Sequence, residues 1–281
     1  MAETRCENIR QYTAGDRLNL KYRAWAAGNE PDALVYLHGI ESHSEWFSEC
    51  AELLCATGVG LYALDRRGSG LNAAERGHCS DYRRLVQDVA EFAAGATASH
   101  ERLHLAGLSW GGKLAVAVDM IFPGLFTSIT LLAPGIFPKV APGPFEKFRI
   151  AFDMLFRSRA LHPIPIDDDM FTSIPKYLRF IANDPLRLRN VTAGFYRESF
   201  KMDKFLKRRN YHWTAPTQLL LAERDAIMDN RKLQNMFDSL QMQCKRVLLY
   251  KGCNHSFQFE KPDDVARDIA QWMREAPKVR A

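Results

Sequence analysis

Gly107-Leu108-Ser109-Trp110-Gly111 sets a serine between two glycines, directly after the apolar run Leu103–Leu108 and ahead of a helix-period stretch, Gly111–Ile121. A serine in that setting is a candidate nucleophile. The turn from strand to helix is sharp, so the serine takes a strained backbone conformation and its flanking positions have no room for Cβ atoms. The helix N-terminus then faces the negative charge that develops during attack. A hydroxyl is a poor nucleophile at neutral pH and needs a base, and the base needs an orienting group. His255, in the loop Gly252-Cys253-Asn254-His255, is the one histidine downstream of both Ser109 and the acid candidates, and it is the candidate base. Glu223-Arg224-Asp225 follows the apolar run Thr217–Ala222 and supplies the orienter. Asp225 is favoured; Glu223 and Asp229 are rivals, and Asp229 also reads as a cap for a helix over Asn230–Leu240. An oxyanion needs two preorganised donors. The backbone N–H of Trp110 is one, and the loop His38-Gly39-Ile40-Glu41-Ser42-His43 offers the N–H of Ile40 as the other. His38 and His43 read as structural histidines bonding loop backbone.

These groups need a rigid frame. Apolar runs bounded by turn residues recur at Leu18–Arg23, Ala33–Leu37, Gly60–Leu64, Leu103–Leu108, Ser128–Ala133, Thr217–Ala222 and Arg246–Tyr250. They do not alternate apolar with polar, so they predict strands buried on both faces, as in a parallel sheet between helix layers. Helical periodicity appears between them at Ser44–Thr57, Asp81–Ala96, Gly111–Ile121, Asn230–Leu240 and Pro262–Glu275. The alternation predicts an α/β fold with a mostly parallel central sheet of about eight strands, opened by an antiparallel edge hairpin. Every candidate catalytic residue then falls at the carboxyl end of a strand, where such sheets place their ligands.

The rhythm stops between Pro134 and Trp213, where eight prolines punctuate short helices and no strand is legible. Residues 1–135 and 211–281 read as the core, and residues 136–210 as an inserted helical lid. Within the insertion Phe145, Phe148, Phe152 and Phe156 share one helix face, which suits packing into the core or a place over the substrate. Phe145, Phe148, Phe152 and Phe195 are the candidate pocket residues of the lid.

A chain of 281 residues, 47% hydrophobic and 25% charged, excludes disordered, collagen-like and disulfide-scaffold classes. The net charge of +5 is not spread evenly. Residues 136–210 hold 15 Lys and Arg against 8 Asp and Glu, together with 10 of the 17 Phe. That segment therefore suits an anionic head group, an anionic membrane surface, or simply a solvated lid surface. The basic residues form no recognised nucleic-acid motif. Six scattered cysteines (Cys6, Cys50, Cys55, Cys79, Cys244, Cys253) lack C-x-x-C spacing and read as reduced thiols, and nothing calls for a metal or a cofactor. The polar amino-terminal stretch and the lack of a long apolar run predict a cytoplasmic protein.

Taken together, the motifs resemble the α/β-hydrolase superfamily, and within it the monoacylglycerol lipase, lysophospholipase and serine-aminopeptidase-like branch. His38–His43 resembles that branch's H-G-x-x-x-H oxyanion loop, Asp65-Arg66-Arg67-Gly68-Ser69-Gly70 its D-x-x-G-x-G turn, Gly107–Gly111 its nucleophile elbow, and Gly252–Glu260 its histidine loop. The resemblance spans roughly residues 18–134 and 213–275. It implies Ser109 as nucleophile, His255 as base, Asp225 as orienter, and Ile40 and Trp110 as oxyanion donors, acting on a carboxylic ester with a hydrophobic portion. A thioester, lactone or amide hydrolase would use the same residues, and a non-catalytic receptor on this fold is the reading of another class.

Overall fold

The buried apolar runs pair into one eight-stranded sheet. The structure, a computed structural model, describes residues 8–26, 29–242 and 244–277, so Cys6 lies outside the described residues. The strands are β1 (Asn8–Thr13), β2 (Asn19–Trp25), β3 (Asp32–Leu37), β4 (Gly60–Leu64), β5 (Arg102–Leu108), β6 (Ser128–Leu132), β7 (Leu161–Pro163), β8 (Asn190–Thr192), β9 (Thr217–Ala222) and β10 (Lys245–Tyr250). The helices are α1 (Ser48–Cys55), α2 (Tyr82–Ala96), α3 (Trp110–Ile121), α4 (Pro144–Phe156), α5 (Pro175–Asn183), α6 (Ala193–Arg208), α7 (Asn230–Ser239), α8 (Phe257–Glu260) and α9 (Pro262–Glu275). The main sheet runs β1-β2-β4-β3-β5-β6-β9-β10. Its opening pair β1–β2 is antiparallel, and from β4 to β10 every pairing is parallel.

Alternation within the buried strands feeds two cores. Leu34 and Tyr36 of β3 join Leu61 and Ala63 of β4 beneath α1 and α9, with Phe47, Leu54, Val265 and Ile269. Val35 and Leu37 face the opposite way, onto Leu85, Val89 and Phe92 of α2 and Leu114 and Val118 of α3. Both sheet faces are therefore covered, which is why the strands read as unbroken apolar runs. Local signals set the helix starts: Asp81 caps α2 by accepting from the Arg83 N–H at 2.9 Å, and Pro262 begins α9, where a missing N–H costs nothing. The stretch read as helix from Ser44 begins with a 3-10 turn, Ser44–Phe47, before α1.

Between β6 and β9 the chain forms α4, α5 and α6 and a 3-10 turn, Asp168–Met170. The reading that no strand occurs there needs correction. β7 and β8 pair antiparallel, with Leu161 opposite Thr192. Three-residue strands beside Pro163 and Pro165 are too short to show any period.

Two buried polar ties hold this segment to the sheet. Arg187 donates from Nε to Glu41 Oε2 at 2.7 Å, and both side chains are buried. Asp184 Oδ2 accepts from His43 Nε2 at 2.9 Å and from Trp46 Nε1 at 2.7 Å. Removing either charge of a buried pair strands the other, which typically costs about 3–5 kcal/mol. The inserted segment is thus coupled energetically to the loop that follows β3.

Candidate active site

Strand order decides where the site lies. The chain passes from β3 to β4 on one side, then returns past β3 to β5 on the other. The loops leaving β3 and β5 therefore diverge and open a crevice at the carboxyl edge of the sheet. Residues 38–43 leave β3 there, and Ser109 leaves β5.

Ser109 has φ 54° and ψ −121°, a conformation that an L-residue rarely adopts. Crowding holds it there. A Cβ on Gly107 would stand 2.4 Å from the Gly111 carbonyl oxygen, and one on Gly111 would stand 2.2 Å from that of Leu37. Only glycines allow β5, the turn and α3 to approach this closely. Ser109 is then bonded on both sides: its N–H donates to Leu132 O at 2.9 Å, and its carbonyl accepts from Gly112 N at 2.9 Å and Gly135 N at 2.7 Å. Ser109 Oγ makes no hydrogen bond within the described residues, and the residue lines an open cavity.

Parallel pairing of β9 and β10 brings the two following loops together. His255 Nδ1 donates to Asp225 Oδ2 at 2.8 Å, and both side chains are buried. Asp225 Oδ1 accepts from the N–H groups of Ile227 and Met228, each at 2.8 Å. Burial pushes the Asp225 carboxyl up, but the His255 imidazole and those two N–H donors more than offset it, so it sits below the usual carboxylate range. His255 Nε2 is buried with no hydrogen-bond partner within the described residues. The rival acids are occupied elsewhere. Glu223 Oε2 accepts from Gly252 N at 2.8 Å, and Asp229 caps α7 through Lys232 N at 3.0 Å. Burial lifts the neighbouring Cys253 thiol to about 11, so it stays protonated and is no competing nucleophile at neutral pH.

The backbone N–H groups of Ile40 and Trp110 donate to no group within the described residues. The loop that carries Ile40 is pinned instead by its carbonyls. Arg66 donates from one guanidinium nitrogen to Gly39 O at 2.8 Å and from another to Ile40 O at 2.5 Å, and it lies 5.0 Å over the Trp110 ring. His38 Nδ1 bonds Gly39 O at 2.8 Å while its Nε2 accepts from Arg66 N at 3.2 Å. His38 thus bonds loop backbone as expected, whereas His43 bonds the Asp184 carboxylate through Nε2 rather than loop backbone. Arg66 is the positioning residue that sequence reasoning passed over; its signal lay inside Asp65–Gly70, read only as a turn. Glu260 is another. It accepts from Asn254 N at 3.0 Å and from Thr172 Oγ1 at 2.9 Å, fastening the His255 loop to the inserted segment.

A cavity of about 500 Å³ adjoins Ser109 and is bordered by Ile40, Trp110, Ile150, Met154, Ile227 and Met228. Ile227 and Met228 are the residues whose N–H groups hold Asp225, so the cavity wall and the Asp225–His255 pair share one turn. The pocket residues expected in the insertion need correction. Phe145, Phe148 and Phe152 do not border the cavity; they point outward from α4 and are 79%, 73% and 49% exposed. The opposite face of α4, with Ile150, Ala151 and Met154, lines the cavity. The helix is apolar on two faces, and the richer aromatic stripe is the outer one. Phe195 is buried against the Trp110 ring, 5.2 Å between centroids, and supports the wall from behind.

Comparison with known proteins bears on the same geometry. The model of the serine aminopeptidase S33 family matches residues 29–262. The chain is 24% identical to a monoacylglycerol lipase of Mycolicibacterium smegmatis over 97% of this chain and 98% of that relative. It is 27% identical to lysophospholipase L2 of Escherichia coli over 92% of this chain and 84% of that one. Among solved structures, a monoacylglycerol lipase from Paleococcus ferrophilus superposes with a TM-score of 0.82 at 20% identity, covering 92% of this chain and all of its own.

Proposed function

This chain belongs to the serine aminopeptidase S33 family of α/β hydrolases, and on that premise we propose that it cleaves a carboxylic ester with a hydrophobic portion, through Ser109, His255 and Asp225. One observation carries the reading: a strained serine, its hydroxyl without a hydrogen-bond partner within the described residues, borders an apolar cavity whose wall residues Ile227 and Met228 orient the acid that holds His255. β5, β6, β9 and β10 are consecutive and parallel in the sheet, so the loops carrying Ser109, Asp225 and His255 all leave its one carboxyl edge, with the His255 loop reaching back over β9 to Asp225.

Chemistry follows from that placement. His255 Nε2 takes the Ser109 proton as Oγ attacks the ester carbonyl. Asp225 keeps the Nδ1 proton in place and stabilises the imidazolium. The tetrahedral oxyanion accepts from the Ile40 and Trp110 N–H groups, which have no acceptor to give up within the described residues. The imidazolium then protonates the leaving alcohol, and water, deprotonated by the same nitrogen, releases the acid from the acyl-serine. Apolar lining favours a fatty acyl group, in keeping with the lipase and lysophospholipase names of the relatives.

Residues 136–210 act as a lid in this reading, and the outer face of α4 meets the lipid surface that delivers the substrate. Phe145, Phe148 and Phe156 are each at least 70% exposed on that face, while no helix of the described residues is long and apolar enough to cross a membrane. Such a face lies in an interface rather than spanning one. Release of fatty acid from a long-chain monoacylglycerol in phosphatidylglycerol vesicles tests both statements. The triple variant Phe145→Ser, Phe148→Ser, Phe156→Ser is expected to lose about 10²-fold or more on vesicle-borne substrate, since partial burial of each exposed aromatic contributes roughly 1–2 kcal/mol. Its rate on a short soluble ester should be unaltered. Equal rates of wild type and variant on vesicles contradict the membrane role, and no fatty acid release by wild type contradicts the proposed substrate class.

A further inference from the structure

Lys113 stands one helical turn beyond Ser109, with its N–H 3.3 Å from the Ser109 carbonyl oxygen, and its side chain is 4% exposed. It borders the same cavity as the serine. The Lys113 ammonium donates to Ser199 Oγ at 2.9 Å and pairs with Asp203 Oδ1 at 2.7 Å. Trp110 Nε1 donates to the same hydroxyl at 3.1 Å.

Counting donors leaves a surplus. An ammonium has three N–H groups; Lys113 uses two of them in hydrogen bonds within the described residues, and its ammonium also lies 5.8 Å from the Trp110 ring centroid. A hydroxyl has two lone pairs and one proton. Both lone pairs of Ser199 are filled by Lys113 and Trp110, so its proton must be donated onward, yet no acceptor within the described residues takes it. Two unspent donors thus sit side by side on the cavity wall.

Charge points the same way. Lys147, on α4, also borders the cavity and makes no ion pair within the described residues. Among the described lining residues Asp203 is the one carboxylate, and it is 46% exposed, so water screens it. The remaining wall is largely apolar. With Lys113 paired to Asp203 and Lys147 exposed on α4, the lining keeps one positive charge in excess beside a largely apolar wall, the complement of an anion carried on a hydrophobic molecule.

We propose that Lys113 and Ser199, with the exposed Lys147 of α4 adding charge, bind an anionic oxygen group, a carboxylate or phosphate, borne by the ester substrate away from its scissile carbonyl. The inference rests on the ester-hydrolase reading and narrows its substrate class. Lys113 gives charge and one N–H, Ser199 gives its hydroxyl proton, and the scissile carbonyl stays on Ser109 one helical turn away.

Two matched pairs of substrates test it and separate the sources of the anion. On the acyl side, para-nitrophenyl hexanoate is compared with the mono-para-nitrophenyl ester of adipic acid, which has the same chain length and a terminal carboxylate. On the alcohol side, a monoacylglycerol is compared with the same acylglycerol carrying a phosphate. Wild type is expected to favour the anionic member of one pair by about tenfold in kcat/KM, mostly through KM, as one charge-assisted hydrogen bond supplies. In Lys113→Met that ratio should fall to about one, and in Ser199→Ala it should fall severalfold. Each ratio is taken within one preparation, so loss of folded protein cancels, and Ser199→Ala carries the test if Lys113→Met does not fold. Equal kcat/KM within both pairs in wild type, or an undiminished ratio in the variants, overturns the proposal while leaving the hydrolase reading standing. Turnover of no member of either pair overturns that reading and this proposal with it.

Discussion

Ser109→Ala should lower turnover of a short para-nitrophenyl ester by about 10⁴- to 10⁶-fold, as loss of a nucleophile does where a serine, histidine and acid act as one unit. The change removes a single oxygen. It keeps the Cβ, and it alters none of the backbone bonds from Leu132, Gly112 and Gly135 that hold the turn. The urea midpoint should therefore stay within the spread expected of a surface substitution, about 0.5 kcal/mol in stability. Steady-state rates beside an unfolding curve check the pair of statements. Unchanged turnover in a folded variant means that another group attacks.

Asp225→Asn should be nearly as damaging, with kcat down by about 10⁴-fold. The carboxylate accepts the Nδ1 proton of His255 at 2.8 Å and two backbone N–H groups on its other oxygen. An amide there can turn its NH₂ toward the imidazole, which then presents the wrong tautomer and faces no negative charge when it becomes imidazolium. Asp229→Asn provides the contrast. Asp229 works through its bond to Lys232 N as the cap of α7, and asparagine caps about as well, so kcat should change less than twofold. The opposite ranking of the two variants would move the acid to Asp229. The depressed Asp225 pKa also has a sign. A carboxylate held below its unfolded value of about 3.9 contributes stability above that pH and loses it as the pH falls further, through the folded value.

Much of the candidate site could be proposed from sequence because its residues are punctuation between strands and helices. Glycines 107 and 111 can be read without a structure, since a strand running straight into a helix must turn within a residue or two. The loops of Asp225 and His255 could be assigned to neighbouring ends because Thr217–Ala222 and Arg246–Tyr250 read as consecutive buried strands, and β9 and β10 do pair in parallel. What stayed hidden depends on which surface covers a face, and periodicity does not carry that. The spacing of Phe145, Phe148 and Phe152 put them on one side of α4 but did not say that the cavity lies on the other. The ribbon of β7 and β8 is held by three residues on each side, fewer than any pattern needs. Arg66 looked like one basic residue in a turn until its two bonds to the Gly39 and Ile40 carbonyls were in view. Lys113 and Ser199 are 86 positions apart, and only the packing of α6 over α3 makes them neighbours.

The most direct test of the central claim, that His255 activates Ser109, is peptide-resolved mass spectrometry after treatment with a fluorophosphonate at neutral pH. One adduct is expected, on the peptide holding Ser109, and it should vanish in Ser109→Ala and form at least about 10²-fold more slowly in His255→Ala, in line with the usual contribution of a general base. Labelling that spares Ser109, or that proceeds at the same rate without His255, would contradict the account.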